Sequence, residues 1–335
     1  MKDIAANSKI YSSTWLKHFG NGLLENKFNF IDKISFVKNK ILPIYINVGK
    51  NLSLGISYSK PLNGPDETAK KLKNGVILIY HVPTYYSPDF LDYNNAIGLH
   101  KIYDSTGYLI DFKSFDNLDS YLTATLSQSR IKKIQRNKRL LESRHDISYK
   151  WYYGEISETE YEKVFESFRK LLEKRYDDKQ EYNRHLNDNI WNFYHELFFP
   201  LINTKNASFY IIYNGSEPIS ICFNYNTPDS IKGAISVFDI DFAKYEIGNM
   251  YLTNQFEICF ENNIRIFDLG LGNYGYKNRW STDTYTLDHH VFYNKNSIIS
   301  RTLAKGMQKY FQTKLELKKK GLKNIFVKNQ NVQIE

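Results

Sequence analysis

Several positions in the sequence combine a reactive residue type with a place where it could act. Asp268 ends a short strand, 264–267, that reads as buried. A carboxylate there is a candidate general base, because burial disfavours its charged form and lifts its pKa toward neutrality. Asp239, at the end of the strand 231–239, is the alternative base. Gly248 opens a helix that runs to about residue 262. Lacking a Cβ, it lets backbone N–H groups come close to a ligand, and the positive helix end favours an anion such as pyrophosphate. For each aspartate the competing reading is structural, a carboxylate that caps a turn or pairs with Arg279.

Other patterns lead elsewhere. Gly270-Leu-Gly272-Asn-Tyr-Gly275 is a literal G-x-G-x-x-G after a strand. A dinucleotide-binding turn must open an amphipathic helix on a parallel sheet, whereas 276–285 is polar and aromatic without helical periodicity. His289 and His290 are adjacent on a strand, so their imidazoles point to opposite faces and do not share a metal. Cys222 and Cys259 sit inside apolar patterns without paired spacing and read as core residues, which gives no support to a disulfide framework or a zinc site.

The elements that must position these residues divide the chain. Through residue 112 the sequence reads as short strands, over 34–38, 43–48, 53–58, 76–80 and 108–112, with a helix over 87–97. One long basic helix is predicted over 118–144. A strand over 147–153 and two helices follow. The first of these helices opens on the capping-box spacing Ser157-Glu158-Thr159-Glu160 and buries Tyr161, Val164, Phe168 and Leu171; the second covers 186–201. Strands over 208–213, 218–225 and 231–239 form an antiparallel meander, turned by Asn214-Gly215. After the helix at Gly248 come the strand ending at Asp268, a strand over 287–293 and a helix over 297–317. This predicts a mixed α+β fold divided into an N-terminal half, 1–120, a connecting basic helix, 121–146, and a C-terminal domain, 147–335.

This order of elements is that of a GNAT acyltransferase domain, and local motifs sharpen the likeness. The segment from Asp239 through Tyr245 to Gly248-Asn249-Met250 resembles the CelD/FemAB-like group of that superfamily. So does Asp268-Leu-Gly270-Leu-Gly272 followed by Tyr276-Lys277 and Arg279-Trp280, and so does Tyr108-Leu-Ile-Asp111 leading to Ser127 and Arg130. The resemblance implies two tandem GNAT-like halves, the first degenerate. It implies an acyl-thioester donor, acyl-CoA and most simply acetyl-CoA, with no metal, and an amine or hydroxyl acceptor such as an amino sugar or amino acid in surface-polysaccharide or envelope-precursor assembly. A backbone N–H near Val237 or Phe238 would polarise the thioester carbonyl. Tyr245, Gly248, Asn249 and Met250 would line the donor. Tyr276, or else Tyr274, would protonate the departing thiolate, and Lys277 with Arg279 would contact donor phosphates or an anionic acceptor. Arg130, Tyr274 and Trp280 fall on the acceptor side. One departure stands out: Glu246 occupies a loop where ordinary GNAT enzymes place glycines and basic residues.

Composition is compatible with this reading. The chain has 335 residues, 42% hydrophobic and 24% charged, with a formal net charge of +9. No basic-then-apolar leader opens it and no apolar run reaches the roughly 18–20 residues of a membrane span, so a cytoplasmic protein without a membrane span is expected. The positive charge suits a phosphorylated donor. It also suits the alternatives, a FemAB-like transferase that takes aminoacyl-tRNA or a non-catalytic RNA-binding module using the basic helix; DNA is not expected as a partner. Against the FemAB branch, no long coiled-coil pair appears between 155 and 203.

Overall fold

The computed structural model describes residues 5–28, 31–49, 69–85, 96–272 and 275–320. The expected strand over 53–58, most of the expected helix over 87–97 and Tyr274 lie outside the described residues. The chain forms two compact units, Ala6–Thr106 together with the chain from Tyr285 onward, and Gly107–Thr284.

The first unit opens with α1 (Lys9–Phe19), a helix that the strand-rich reading of this region did not anticipate. Ser8 caps it by accepting the Tyr11 amide, and Tyr11 and Trp15, one turn apart, are both fully buried. Strands β1 (Glu25–Phe28), β2 (Ile31–Lys38), β3 (Ile44–Asn47) and β4 (Val76–Pro83) follow. β5 (Ile97–Asp111) is much longer than the expected strand over 108–112; its residues through Thr106 belong to the first unit and the rest to the second.

The second unit continues with α2 (Leu118–Thr125) and α3 (Gln128–Arg144). These are two helices where one was expected, because Ser127 adopts an extended conformation and its Oγ caps α3 through the Arg130 amide. α3 buries Ile131, Ile134, Asn137 and Leu141 and leaves Lys132, Lys133, Arg136 and Arg139 exposed, so its basic face is solvated. Next come β6 (Ile147–Tyr152), α4 (Glu158–Lys179), α5 (Asp188–Asn203), β7 (Ala207–Asn214), β8 (Glu217–Thr227) and β9 (Ser230–Phe238). The serine half of the expected capping box is present, Ser157 Oγ accepting the Glu160 amide, while the Glu160 carboxylate accepts the Tyr152 hydroxyl; Tyr161, Val164, Phe168 and Leu171 are all buried. After α6 (Ile247–Glu261), β10 (Ile266–Leu271) and the short α7 (Gly275–Trp280), the chain returns to the first unit through β11 (Asp283–Asn294) and α8 (Ile298–Lys319).

These unit boundaries differ from the division at 120 and 146 read from sequence order. The reason is long-range pairing: β11 lies antiparallel to β4, from Leu287 opposite Pro83 to Tyr293 opposite Val76, which returns the C-terminal strand to the N-terminal sheet. Within the first unit the strand order is β1-β2-β3-β4-β11-β5, and within the second it is β5-β10-β9-β8-β7-β6. The same wiring occurs in both. A three-stranded antiparallel meander (β1-β2-β3 or β7-β8-β9) gives its last strand a parallel partner (β4 or β10). That partner takes an antiparallel strand on its far side (β11 or β5).

β8 is buried from Ile219 through Thr227, as a strand covered on both faces must be. One core of the second unit gathers Tyr121, Phe256, Phe267 and Trp280. Cys222 and Cys259 are free, buried core residues. No helix of the described residues is long and apolar enough to cross a membrane.

Candidate functional site

The second unit opens where β9 and β10 part. They run parallel through three pairs, Ser230 opposite Ile266, Ile231 opposite Phe267 and Lys232 opposite Asp268. Beyond these pairs β9 continues to Phe238 beside β8, and β10 continues to Leu271 beside β5. Backbone groups of β9 past Lys232 that face away from β8 therefore have no strand partner on the β10 side.

Which groups these are follows from alternation. The Asp239 amide donates to the Ile219 carbonyl of β8 at 2.8 Å. Ser220 Oγ donates to the Val237 carbonyl, again on the β8 side. Backbone polar groups switch sides at every residue of a strand. Val237 thus faces β8, and the Ser236 and Phe238 amides face the opening. Of the two amides expected to polarise a carbonyl, Phe238 is the one so placed.

Across the opening, β10 bulges. Asp268 pairs with Leu109 and Gly270 with Tyr108, leaving Leu269 as the surplus residue. Gly270 has φ +74, which a side chain would strain, and a Cβ there would lie 3.8 Å from the Gly233 carbonyl and 3.9 Å from Lys277 Nζ. The bulge folds the Asp268 carboxylate back so that Oδ1 accepts the Gly270 amide at 2.7 Å, while Oδ2 faces Lys232 Nζ at 3.6 Å. Asp268 is fully buried. Both its oxygens are therefore engaged in holding the bulge and a lysine, which is the structural reading of that residue, with Lys232 in place of Arg279.

Lys277 is the unexpected member. It is 4% exposed, and its ammonium donates to the Leu271 carbonyl. Burial pulls its pKa down to about 8; the Asp268 carboxylate opposes that shift, and the Lys232 cation reinforces it. An amine poised there exchanges its proton close to neutral pH, and when charged it can steady a developing oxyanion. The sequence assigns Lys277, with Arg279, to donor phosphates or an anionic acceptor; the structure buries the lysine and leaves Arg279 exposed.

The donor-side residues fall around the start of α6. Glu246 precedes the helix in a left-handed conformation, φ 53, and gives it no side-chain cap. Its carboxylate is ion-paired to Lys133 at 2.7 Å and to Arg130 at 3.7 Å and accepts the Asn249 side-chain amide. Arg130, assigned to the acceptor from the sequence, thus meets this helix start. A Cβ on Gly248 would meet only the Phe238 and Tyr251 rings, at 3.7 and 3.8 Å, which is ordinary contact, so packing does not demand glycine. Tyr245 is buried with its hydroxyl 3.0 Å from His145 Nε2, and Met250 is a core residue.

The remaining predicted residues are scattered. Asp239 caps the turn that follows β9, accepting the Asp241 amide, and pairs with Lys174 at 2.5 Å, which also holds Asp241. It is a turn-capping carboxylate. Tyr276 is 40% exposed and Arg279 is exposed. Trp280, assigned to the acceptor side from the sequence, is completely buried, its ring against Phe256 and its carbonyl accepting the Tyr121 hydroxyl, so it anchors α7 to the core. Sequence reasoning missed Lys232. The signal was present as the single charged residue of β9, but only the parallel register sets it opposite Asp268.

Comparisons with known proteins agree on the fold. Residues 128–278 match the family model of the acetyltransferase (GNAT) domain. Among solved structures, FemX aligns over 91% of this chain and 96% of its own with a TM-score of 0.57 at 11% identity. A conserved protein of unknown function from Bacteroides thetaiotaomicron aligns over 88% and 93%, with a TM-score of 0.53 at 12% identity. The C-terminal domain of a candidate lysylphosphatidylglycerol synthetase from Agrobacterium fabrum aligns over 86% and 89%, with a TM-score of 0.52 at 7% identity. No curated protein matches. Residues 128–278 are thus similar to a GNAT acetyltransferase domain, and at these identities the structural likeness establishes the fold.

Proposed function

We propose that the chain transfers an acyl group from a thioester donor, acyl-CoA, to an amine or hydroxyl acceptor at the opening between β9 and β10. The observation that carries this reading is the parting of the two strands after Lys232 and Asp268, which turns the Phe238 amide toward a space that a thioester carbonyl can occupy. The acceptor attacks the carbonyl carbon, the oxygen gains negative charge near the Phe238 amide, and collapse expels the thiolate. Lys277, with its pKa near 8, accepts the acceptor's proton when neutral or supports the oxyanion when charged. Tyr276, exposed on α7, is assigned the return of a proton to sulfur. Asp268 is assigned a positioning role, holding Gly270 and Lys232, in place of the base expected from its strand-end location. The recurrence of one strand wiring in both units supports the tandem reading, with the second unit carrying the chemistry.

A second reading rests on Glu246. Its carboxylate sits at the helix start where coenzyme A would place a pyrophosphate, and like charges repel there. An aminoacyl ester on tRNA, the donor implied by the FemAB-like resemblance, brings no pyrophosphate to that point. Calorimetric titration with acetyl-CoA, coenzyme A and tRNA, each at low and high salt, separates the two. Saturable binding of acetyl-CoA supports the thioester reading. Absence of that binding together with salt-sensitive tRNA binding replaces it with the second.

A further inference from the structure

The first unit has its own cluster of reactive side chains: His81 on β4, Asp104 on β5 and His289 on β11 converge, with one donor atom from each lying within 4.8 Å of the others. His81 Nε2 is 3.5 Å from Asp104 Oδ2, and His289 Nε2 is 3.4 Å from Asp104 Oδ1. The backbone is bent to bring this about. Asp288 pairs with Val82 but His290 with Ile79, so β4 carries a surplus residue here, and His81 lies in the left-handed region at φ 57. A histidine on a strand adopts that conformation at a cost, and bulges of this kind re-aim side chains. The parallel pairing of β3 with β4 ends at Ile46 opposite Leu78, so His81 stands just past it, the position in this unit that corresponds to the opening after Asp268 in the other.

We propose that His81, Asp104 and His289 form a binding site for a first-row divalent transition metal such as zinc, with solvent as the remaining ligand. Two imidazoles and a carboxylate are the borderline donor set that zinc and its neighbours prefer, and three protein ligands with an open position characterise accessible sites. Spacing separates this reading from a simple hydrogen-bonded trio. Charge-assisted hydrogen bonds close to about 2.7–2.9 Å. The observed separations of 3.4 and 3.5 Å are longer than that. They match the roughly 3.4 Å between neighbouring ligand atoms around a tetrahedral ion with bonds of about 2.1 Å.

The surroundings fit as well. Ser105 Oγ donates to Asp104 Oδ2 at 2.8 Å and fixes the carboxylate, as outer partners of metal ligands do. His289 is buried between the rings of Tyr80 and Phe311, at 4.9 and 4.4 Å. The Asp104 side chain is 30% exposed, which leaves a path for the ion and a place for water. One contact is exchanged on loading: the His81 amide donates to His289 Nδ1 at 3.4 Å, and a ring coordinated through Nε2 carries its proton on Nδ1. That hydrogen bond is already long.

The test is metal uptake by the full chain. Protein stripped with a chelator is dialysed against zinc and measured by elemental analysis and calorimetry, with cobalt(II) absorption on the unsubstituted chain reporting low-symmetry coordination. We expect about one zinc per chain. Asp104→Asn and His81→Gln each weaken it at least ~10-fold, with a smaller loss in Ser105→Ala. His195→Gln, which alters the exposed pair with Glu162, leaves uptake unchanged. Absence of zinc uptake and of a cobalt spectrum in the unsubstituted chain overturns the proposal. So does undiminished uptake by folded Asp104→Asn, because the metal then binds elsewhere.

Discussion

Lys133 Nζ lies 2.7 Å from Glu246 Oε1, so a cation and a carboxylate neutralise each other at the N-terminus of α6, where an anionic donor would dock. Burial works against the charged carboxylate, yet Lys133 and Arg130 outweigh it and hold Glu246 below the ordinary glutamate range. The pair is partly exposed, and its strength is correspondingly modest. Replacing Glu246 by Gln removes the negative charge from the helix end and frees Lys133 and Arg130 for phosphate. Under the thioester reading, acetyl-CoA affinity rises about 3–10-fold and becomes more sensitive to salt. Calorimetry at two ionic strengths measures both, and unchanged affinity removes this helix start from the donor site.

Asp268→Asn tests whether that carboxylate reacts or positions. Asparagine still accepts the Gly270 amide but leaves the Lys232 cation without its buried partner, a loss of about 2–3 kcal/mol. The expected result is a lower melting temperature with turnover per folded molecule kept within a few-fold. A melting temperature close to that of the unsubstituted chain combined with a hundredfold or greater fall in turnover would restore Asp268 as the base.

Much of the second unit was legible because local signals there were redundant. Ser157 and Glu160 mark the start of α4, Asn214-Gly215 marks a hairpin, and the apolar periods agree with both. Ser127 was harder to read, since a capping serine inside a run of helix-forming residues looks like one more helical position until its extended backbone is seen. The first half of β5 and the return of β11 to β4 were hidden because they depend on partners far along the chain. For the site, residue type located Asp268 and Lys277 but not their roles. Their surroundings depend on distant partners: burial comes from the packed core, Lys232 faces Asp268 only through the β9–β10 register, and even the neighbouring bulge at Gly270 forms only against β5. The same holds for His289: its neighbour His290 argued against a shared metal, whereas His81 and Asp104 come from other strands.

The two thiols give a simpler check. Cys222 and Cys259 are free and buried, and burial pushes both well above the ordinary cysteine range. Thiolate is the reactive form, so native protein should resist thiol reagents at pH 8 and release two equivalents on denaturation. Fast labelling of the native chain would show that one of these core packings opens in solution.

Lys277 predicts a pH dependence whose sign is fixed. Its pKa is lowered from 10.5 to about 8 by burial, so between those values the unfolded chain binds a proton that the folded chain has released. Folding stability contributed by this group therefore rises with pH across that window; below about pH 8 the group is charged in both states and its burial is a full cost. Lys277→Met removes the charge and keeps most of the volume. The variant should gain stability relative to the unsubstituted chain at pH 7, with the gain shrinking toward pH 10, as read by denaturant titration at the two values. Turnover separates the two roles considered for the same amine. If Lys277 acts as a base, the acyl-transfer rate of the unsubstituted chain climbs with pH to a plateau above about 8; if it steadies an oxyanion as a cation, the rate falls through that value. In either case the Met variant loses the titration and at least ~100-fold in turnover. A pH profile that survives the substitution would assign the proton transfer to another group.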